Sequence, residues 1–368
     1  MLRTNIKILV TFVEPMIYGM DLIHEVYENT SFEFQYLYCH KKVTGHDTLS
    51  LPPNSIVCEG TNQKRKVTIR KILKNFCPDF VVINGYVGLE QTLIMRYCMK
   101  NEIPYGIETD TPLHIPDSKW KALIKKLYLK YYLNNSYCYG FPGGTLQKEN
   151  LVYYGIPEDR CFIMPMSVSK NRFLKESTQI PDKIQLKNQE KLGDKRIILF
   201  VGRLETVKNV NLLINAYAKL KQYNSNLALL IVGDGSERNN LEMSVKDKNI
   251  QDVYFKGYVT FPQNVKYYKM ADVFVLPSTY EPWGLVVNEA SIMRLPIVVS
   301  SHVGCRKDLV KEGLNGYIFE DNNEKELIHA IKKAFTLNIS FVATDIWDYQ
   351  KYLKNFNYAV NRICGRLN

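Results

Sequence analysis

The stretch KRIILFVGRLETVKNVNLLINAYAKL, residues 195–220, decides the fold of the second half of this chain. Its first part, up to Gly202, is a run of large apolar residues typical of a buried strand. From Asn209 onward the apolar residues recur every three or four positions, which predicts a helix. A buried strand followed by a helix is the repeating unit of an α/β protein with a parallel sheet.

Five more strand–helix units follow in the second half of the chain. The predicted strands cover residues 226–233, 253–257, 272–277, 296–300 and 316–319. Each is followed by a helical pattern, over residues 237–248, 265–270, 285–293, 305–311 and 324–335. Six such units in a row predict a doubly wound domain, in which ligands bind outside the carboxyl ends of the strands.

The first half alternates in the same way, with predicted strands at residues 6–13, 32–39, 80–84 and 104–109. Residues 174–196 are rich in Lys, Gln, Asn and Asp, which predicts a linker or surface loop. We therefore predict an α/β fold of two Rossmann-like doubly wound domains facing a central cleft. The expected domains are residues 1–180 and 181–340. An amphipathic helix in residues 341–368 either caps the second domain or crosses back to the first.

The composition is that of a globular protein with two cores. Of the 368 residues 46% are hydrophobic and 23% are charged, which excludes a disordered or fibrous chain. The net charge of +11 indicates an acidic partner, such as nucleic acid, anionic lipid or a phosphorylated substrate. No apolar run suits a membrane span or a secretory signal, and the eight cysteines show no paired spacing. We therefore expect a reduced, cytoplasmic protein.

Several cofactor and metal motifs are missing from the sequence. No GxGxxG follows a strand, which disfavours a dinucleotide-dependent dehydrogenase, and there is no Walker A loop. The six histidines show no metal-ligand spacing. We therefore expect neither a metal nor a cofactor.

Cations surround the end of the strand that closes at Gly202. Arg203 follows the glycine at once, and Lys208 stands just before the next helix. A helix N-terminus flanked by two cations suits a polyanion such as a diphosphate, because unpaired N–H groups and positive charge converge there. The alternative is an ordinary surface arginine and lysine with no ligand.

A pair of glutamates brackets the start of a later helix. Glu281 precedes this helix, Glu289 lies on its second turn, and Gly284 opens it. Apolar neighbours indicate that the helix is mostly buried, and a buried carboxylate needs partners such as sugar or ribose hydroxyls. The alternatives are that Glu281 complements the helix dipole and that Glu289 is solvated.

Five motifs in this order resemble the C-terminal domain of a retaining glycosyltransferase of the GT-B fold, family 4, also called glycosyltransferase group 1. They span about residues 196 to 320 and are specific only in combination. They are Gly202-Arg203-Leu204 with Lys208-Asn209, Val232-Gly233-Asp234-Gly235, Phe255-Lys256-Gly257-Tyr258-Val259, the Glu281–Glu289 pair, and Gly313-Leu314-Asn315-Gly316-Tyr317.

The resemblance implies a nucleotide-sugar donor and a role for each matching residue. Arg203 and Lys208 would hold the diphosphate, Glu281 the donor sugar hydroxyls, and Glu289 the ribose. The implied donor contacts also include Gly202, the amides of Gly284, Leu285 and Val286 near the phosphates, and Gly257, Tyr258 and Val259 near the base. Arg203, Lys208 and Glu281 are the implied catalytic residues of this domain.

The first half resembles the family less closely. Where members often have a glycine-rich loop after the first strand, only Gly19 remains as a donor-side candidate. After the fourth strand the family pattern makes Asp110 the catalytic candidate and His114 an acceptor-side candidate, whereas Asp110 alone also suits a turn cap. The family also implies that the last helix crosses back to the first domain.

Residues 119–133 carry five lysines and no acidic residue. On a helix Trp120, Ile124, Leu127 and Tyr131 share one face, which suits packing on the core. Leu129 and Leu133 fall on the opposite face, between lysines. We expect this second face to lie in a membrane interface, with the alternative of a plain surface helix. The predicted contacts with an anionic inner leaflet are Lys121, Lys125, Lys126, Leu129, Lys130 and Leu133.

Together with these observations, the family resemblance implies a metal-independent, retaining hexosyltransferase at the cytoplasmic face of a membrane. Its donor would be a nucleoside-diphosphate sugar, with UDP favoured over GDP. Its acceptor would be a glycan or a lipid-linked saccharide, as in bacterial assembly of capsule, lipopolysaccharide or another surface polysaccharide. The alternatives are a catalytically silent GT-B partner subunit and, less favoured, a basic nucleic-acid-binding protein. No nucleic-acid partner is expected.

Overall fold

A computed structural model describes residues 5–41 and 50–365 of the chain. The chain forms two compact units. Unit 1 contains the chain up to Ser167 together with the segment that begins at Asp348, and unit 2 runs from Val168 to Trp347. Each unit is built on a parallel sheet of six strands, so the predicted doubly wound α/β fold class is confirmed.

The sheet of unit 1 has the strand order β3-β2-β1-β4-β5-β6. Its strands are β1 (Lys7–Phe12), β2 (Glu33–Tyr38), β3 (Ser55–Val57), β4 (Phe80–Asn84), β5 (Tyr105–Thr109) and β6 (Cys138–Pro142). Its first five helices are α1 (Ile17–Glu25), α2 (Asn62–Phe76), α3 (Leu89–Lys100), α4 (Lys119–Leu133) and α5 (Thr145–Tyr153). Four strands were predicted from the sequence, and β3 and β6 are additional.

Unit 2 repeats this topology with the strand order β12-β11-β10-β7-β8-β9. The strands are β7 (Arg196–Val201), β8 (Leu227–Val232), β9 (Val253–Phe255), β10 (Val273–Leu276), β11 (Ile297–Ser300) and β12 (Gly316–Phe319). The helices are α6 (Lys170–Gln179), α7 (Lys183–Gln189), α8 (Val210–Tyr223), α9 (Arg238–Asp247), α10 (Val265–Met270), α11 (Leu285–Ile292), α12 (Arg306–Leu309) and α13 (Glu324–Ala334). All six strands match those predicted from the apolar runs.

The predicted linker over residues 174–196 is wrong, because the region is largely helical. The Ser169 hydroxyl caps α6 by accepting from the Arg172 amide at 3.3 Å, and the Asp182 carboxylate caps α7 through the Gln185 amide at 2.9 Å. Phe173 on α6 is buried, with its ring centroid 5.9 Å from that of Tyr268. The segment therefore packs into unit 2, and the predicted boundary at residue 180 falls just after α6.

The last helix, α14 (Tyr349–Ile363), packs on the sheet of unit 1 beside α1. Phe356 on α14 is buried next to Tyr27, with ring centroids 5.2 Å apart. Helices α2, α3 and α4 cover the opposite face of the same sheet. Both faces of the central strands are thus covered, which explains why β1 and β4 consist mainly of apolar residues.

The predicted orientation of helix α4 is wrong. Leu129 and Leu133, expected to face a membrane, are 1% and 0% exposed and belong to the core of unit 1. Trp120, with 75% exposure, and Tyr131, with 63%, lie on the face expected to be buried. The helix turns this way because Tyr132, which follows Leu129 on the inner face, accepts a hydrogen bond from Arg96 Nε of α3 at 2.7 Å.

Candidate functional site

The candidate residues of unit 2 gather where the strand order of its sheet reverses. Strand β7 pairs with β8 on one side and with β10 on the other, so the loops after β7 and β10 leave the sheet side by side. Such a switch point at the carboxyl edge of a parallel sheet is where doubly wound domains bind ligands. Arg203 and Lys208 follow β7, and Glu281 follows β10.

Glycines in the loop after β8 allow it to pack tightly against the loop after β7, which carries Arg203. A Cβ atom on Gly233 would lie 1.8 Å from the carbonyl oxygen of Gly202, and one on Gly235 would lie 2.5 Å from that of Leu204. Only glycine permits such close backbone approaches. The Leu204 amide also donates to the Asp234 carbonyl at 2.9 Å. The loop that carries Arg203 is therefore fixed by its neighbour.

Arg203 itself is exposed, beside the carboxylate of Glu205. Hydrogen bonds from the Ser236 hydroxyl, at 2.7 Å, and from the Ser236 amide lower the pKa of Glu205, and the Arg203 charge lowers it further. The guanidinium is left on the open side of the loop, where an anion can reach it.

Lys208 and Glu281 form an ion pair through Nζ and Oε2. The two side chains are 13% and 12% exposed. The backbone on both sides of the pair is tied down, since the Thr279 amide donates to the Val207 carbonyl at 2.8 Å and the Gly304 amide to the Glu281 carbonyl at 2.9 Å. The sequence predicted both residues as ligand contacts but did not predict that they contact each other.

Helix α11 begins immediately beyond this pair. Gly284 precedes it with φ of +99°, and a Cβ there would lie 3.3 Å from Glu281 Cγ. The first amides of a helix lack partners within it. The amides of Leu285 and Val286 are thus available at the end of the helix that favours negative charge.

Glu289 lies on the next turn of α11 and is only partly exposed. The amide Nδ2 of the buried Asn264 donates to its Oε2 at 3.3 Å. Burial raises the pKa of Glu289 to about 7, although the Tyr268 hydroxyl and the Arg172 charge oppose this shift. The Glu289 carboxyl group is therefore about half-protonated at neutral pH. Hydroxyl groups that donate hydrogen bonds to it would lower its pKa and so favour the ionised form.

The segment after β9 lies beside the β7 and β8 loops. The Gly233 amide donates to the Gly257 carbonyl at 2.8 Å, and Gly257 has φ of +72°. Tyr258 is 58% exposed, and Val259 is partly exposed. An aromatic side chain at this edge is suited to stacking on a base.

The candidates in unit 1 are dispersed. Gly19 is buried within α1, where a Cβ would meet Phe12 at an ordinary 3.6 Å, so its conformation does not require glycine. Asp110 follows β5, and its carbonyl accepts from Gln147 Nε2 at 3.0 Å. His114 is exposed, and its carbonyl accepts from Lys125 Nζ at 2.9 Å. The donor role of Gly19 and the roles of Asp110 and His114 stay predictions.

Glu108 was not predicted and is the most unusual side chain of this edge. Its carboxylate accepts hydrogen bonds from Tyr352 Oη of α14 at 2.8 Å and from Asn84 Nδ2 at 3.3 Å. Burial raises the pKa of Glu108 in spite of these donors. An acidic residue inside the apolar strand at residues 104–109 was the signal in the sequence.

Residues 5–41 and 50–365 contain no group of three or more His, Cys, Asp or Glu side chains placed to hold a metal ion. In the same part of the chain no helix has the length and apolar character needed to span a membrane.

The fold and the site define a two-domain α/β protein of the GT-B class. Residues 182–350 match the profile of the family "Glycosyl transferases group 1". The resemblance to glycosyltransferase group 1 predicted from the sequence is therefore confirmed over those residues, whereas membership of family 4 and a retaining mechanism stay predictions.

Two curated relatives and one solved structure illustrate the similarity. An uncharacterized glycosyltransferase of Methanocaldococcus jannaschii is 31% identical over 221 residues, which cover 57% of this chain and 52% of that protein. Alpha-monoglucosyldiacylglycerol synthase of Acholeplasma laidlawii is 29% identical over 176 residues, covering 45% and 43%. The chain thus matches about half the length of these relatives. The structure of Anabaena Alr3699/HepE in complex with UDP and glucose has a TM-score of 0.73 at 15% identity, covering 97% of this chain and 100% of that one.

Proposed function

We propose that this protein is a retaining glycosyltransferase that moves a hexosyl unit from a nucleoside-diphosphate sugar to a hydroxyl group. The observation that carries the proposal is the Lys208–Glu281 ion pair at the switch point of a group 1 domain, with exposed Arg203 on the same edge. The Lys208 ammonium group is fixed by the Glu281 carboxylate, and the Arg203 guanidinium faces solvent. A donor that carries both a diphosphate and sugar hydroxyls complements such a pair.

The chemistry follows from where charge develops. As the anomeric carbon–oxygen bond breaks, negative charge builds on the leaving diphosphate, and Arg203, Lys208 and the first amides of α11 would stabilise it. In a front-side displacement the departing phosphate oxygen takes the proton of the acceptor hydroxyl as the new bond forms. No protein nucleophile and no metal is then required, because the fixed cations neutralise the leaving group.

Donor contacts are assigned by hydrogen-bonding capacity. Glu281 accepts from donor sugar hydroxyls, Glu289 accepts from the ribose hydroxyls, and Tyr258 lies near the base. Crystals of the structurally similar HepE hold UDP and glucose, which supports UDP as the preferred nucleotide.

The acceptor is a hydroxyl of a glycan or of a lipid-linked saccharide, in keeping with assembly of a bacterial surface polysaccharide at the cytoplasmic face of the membrane. One relative is named for the synthesis of a glucosylated diacylglycerol, which supports an acceptor that carries a lipid. Asp110 and His114 are the candidates on the acceptor side.

The test is a panel of UDP- and GDP-sugars, first in a thermal-shift assay and then in a hydrolysis or transfer assay. A donor at 100 times its Kd should stabilise the protein by about 2.7 kcal/mol. Stabilisation without turnover would identify a silent partner subunit. If no nucleotide sugar stabilises the protein, the assignment fails.

Variants test the site itself. Arg203→Ala and Lys208→Ala should reduce turnover by a factor of about 10 to 100, since each removes a charge-assisted contact of roughly 1.5–3 kcal/mol. Lys219→Ala, on the exposed surface of α8, is the matched control and should not change turnover. Glu281→Gln should lose transfer but keep nucleotide binding. Wild-type rates in both cation variants would contradict the donor site.

A further inference from the structure

The positive charge of this protein is concentrated on one helical layer. Helices α2, α3 and α4 lie on the same face of the sheet of unit 1. They carry 13 of the 48 basic residues but only one of the 37 acidic residues, Glu90, which pairs with Arg65. The remaining 35 basic and 36 acidic residues of the chain nearly balance. The layer therefore accounts for the whole net charge of +11.

The three helices form one continuous surface. Arg96 Nε of α3 donates to Tyr132 Oη of α4 at 2.7 Å, and the hydroxyls of Thr92 and Tyr128 are 2.6 Å apart. Helix α2 packs along the other side of α3. A basic surface formed by three adjacent helices suits an extended anionic partner rather than a single small anion.

Helix α4 adds an apolar stripe to this basic surface. The stripe consists of five exposed side chains: Trp120 (75%), Leu123 (47%), Ile124 (65%), Leu127 (62%) and Tyr131 (63%). At 100° per residue they occupy one arc of about 100°, directly opposite the buried arc of Leu129, Tyr132 and Leu133. Burying the outer stripe would remove a large apolar area from water.

Lysines line both sides of the stripe. Lys119 and Lys130 border one edge, Lys121 borders the other, and all three are exposed. Lys125 and Lys126 point back toward α5, where their Nζ atoms lie 5.0 Å from the ring centroids of Tyr154 and Tyr153. Tryptophan, tyrosine and aliphatic residues flanked by lysines form the pattern of a helix that lies in a membrane interface.

We propose that the outer stripe of α4 inserts into the headgroup boundary of an anionic lipid membrane while the basic layer of α2 and α3 faces the lipid charge. A second copy of the chain is a poorer occupant, since it would bring an equally basic surface against this one. Nucleic acid would satisfy the lysines but would leave Leu123, Ile124 and Leu127 exposed. The proposal reverses the face predicted from the sequence and does not depend on the proposed enzymatic activity.

The first experiment measures sedimentation of the full chain with vesicles of phosphatidylglycerol and phosphatidylcholine at low salt. Changing Lys100, Lys119, Lys121 and Lys130 to Glu should weaken binding by about 600-fold, at roughly fivefold for each cation removed. The matched control changes four exposed lysines of unit 2, Lys246, Lys325, Lys332 and Lys333, to Glu. The control should bind as the wild type does.

A second pair of variants separates insertion from charge attraction. Changing Trp120, Ile124 and Leu127 to Ala keeps good helix formers and should weaken binding by about tenfold or more, also at high salt. Changing Ile184, Tyr223 and Met243 to Ala removes side chains of unit 2 that are 72%, 82% and 61% exposed and serves as the control. Equal binding by the first variant and the wild type would overturn insertion.

Trp120 also provides a direct signal. The chain has three tryptophans, and the other two, Trp283 and Trp347, are 1% and 7% exposed. A blue shift and quenching by brominated lipid on adding anionic vesicles would therefore report insertion of Trp120. Failure of the wild type to bind anionic vesicles at low salt, or an equal preference for duplex RNA or DNA, would overturn the proposal. Donor binding is measured separately, by thermal shifts with nucleotide sugars, so failure of the membrane proposal can be distinguished from failure of the donor-site proposal.

Discussion

Donor binding should release a proton from Glu289. Burial raises the pKa of this carboxyl group to about 7, so about half of the ligand-free molecules carry the proton at pH 7. Ribose hydroxyls donate to the ionised form and would lower the pKa again. Affinity should therefore fall as the pH falls below 7, and at pH 6 about ten in eleven sites must first lose a proton. The expected loss at pH 6 is about elevenfold relative to alkaline pH.

The assay is isothermal titration calorimetry between pH 6 and 8.5 with the nucleotide sugar that gives the largest thermal shift. A nucleotide sugar is used because a free nucleoside diphosphate itself titrates in this range. At pH 7, buffers of different ionisation enthalpy should reveal about half a proton released for each molecule bound. Glu289→Gln keeps the shape of the side chain but cannot ionise, so it should bind more weakly and without this proton release. The reasoning is refuted if wild type and Glu289→Gln show the same pH dependence.

Three further predictions concern stability. The pKa of Glu289 is raised on folding, so the contribution of this residue to the free energy of unfolding is complete below pH 4.5 and is lost as the pH rises through 7. Glu289→Gln should therefore have a higher melting temperature than the ligand-free wild type at pH 8 but not at pH 4.5. Tyr352→Phe removes a donor from buried Glu108 and should cost about 1–3 kcal/mol in denaturant unfolding at pH 7. Because burial raises the pKa of Glu108, this cost should shrink as the pH is lowered and the carboxylate takes up a proton, and a cost that does not change with pH would contradict a hydrogen bond to the ionised carboxylate. Gly233→Ala should unfold or severely destabilise unit 2, because its Cβ would lie 1.8 Å from the Gly202 oxygen, whereas Gly19→Ala should be neutral or stabilise by about 0.5–1 kcal/mol in thermal melts.

The strands of unit 2 could be predicted because central parallel strands are buried on both faces. Strand β8 is a run of six apolar residues, β7 has five apolar residues after Arg196, and β10 is a run of four, a pattern typical of strands in a parallel sheet. Strands β3 and β6 lie at the two edges of the sheet of unit 1. Ser55–Val57 is short and half-buried, and Cys138–Pro142 contains a glycine and ends in proline, so neither resembles a buried strand.

In the candidate site, the sequence indicates which residues are involved but not the contacts between them. Arg203, Lys208, Glu281 and Glu289 could be predicted because each stands beside a strand end or a helix start that the sequence already indicates. The pairing of Lys208 with Glu281 could not, because the two are 73 residues apart and meet only through the strand order that places β7 next to β10. The raised pKa of Glu289 could not be predicted either, because it depends on burial beside two residues from another part of the sequence, Tyr268 of α10 and Asn264, which precedes α10.

Helix α4 shows where periodicity alone stops being informative. It has two apolar arcs on opposite sides, and the period of 3.6 residues fits both equally well. The inner arc is selected by contacts that the helix sequence does not contain, above all the packing of Leu129 and Leu133 into the core and the bond from Arg96 to Tyr132. Once that arc is assigned to the core, the other arc becomes an exposed apolar stripe between lysines. A contiguous exposed apolar stripe that includes a tryptophan at 75% exposure is typical of an interaction surface, and this is the basis for assigning the second arc to a membrane.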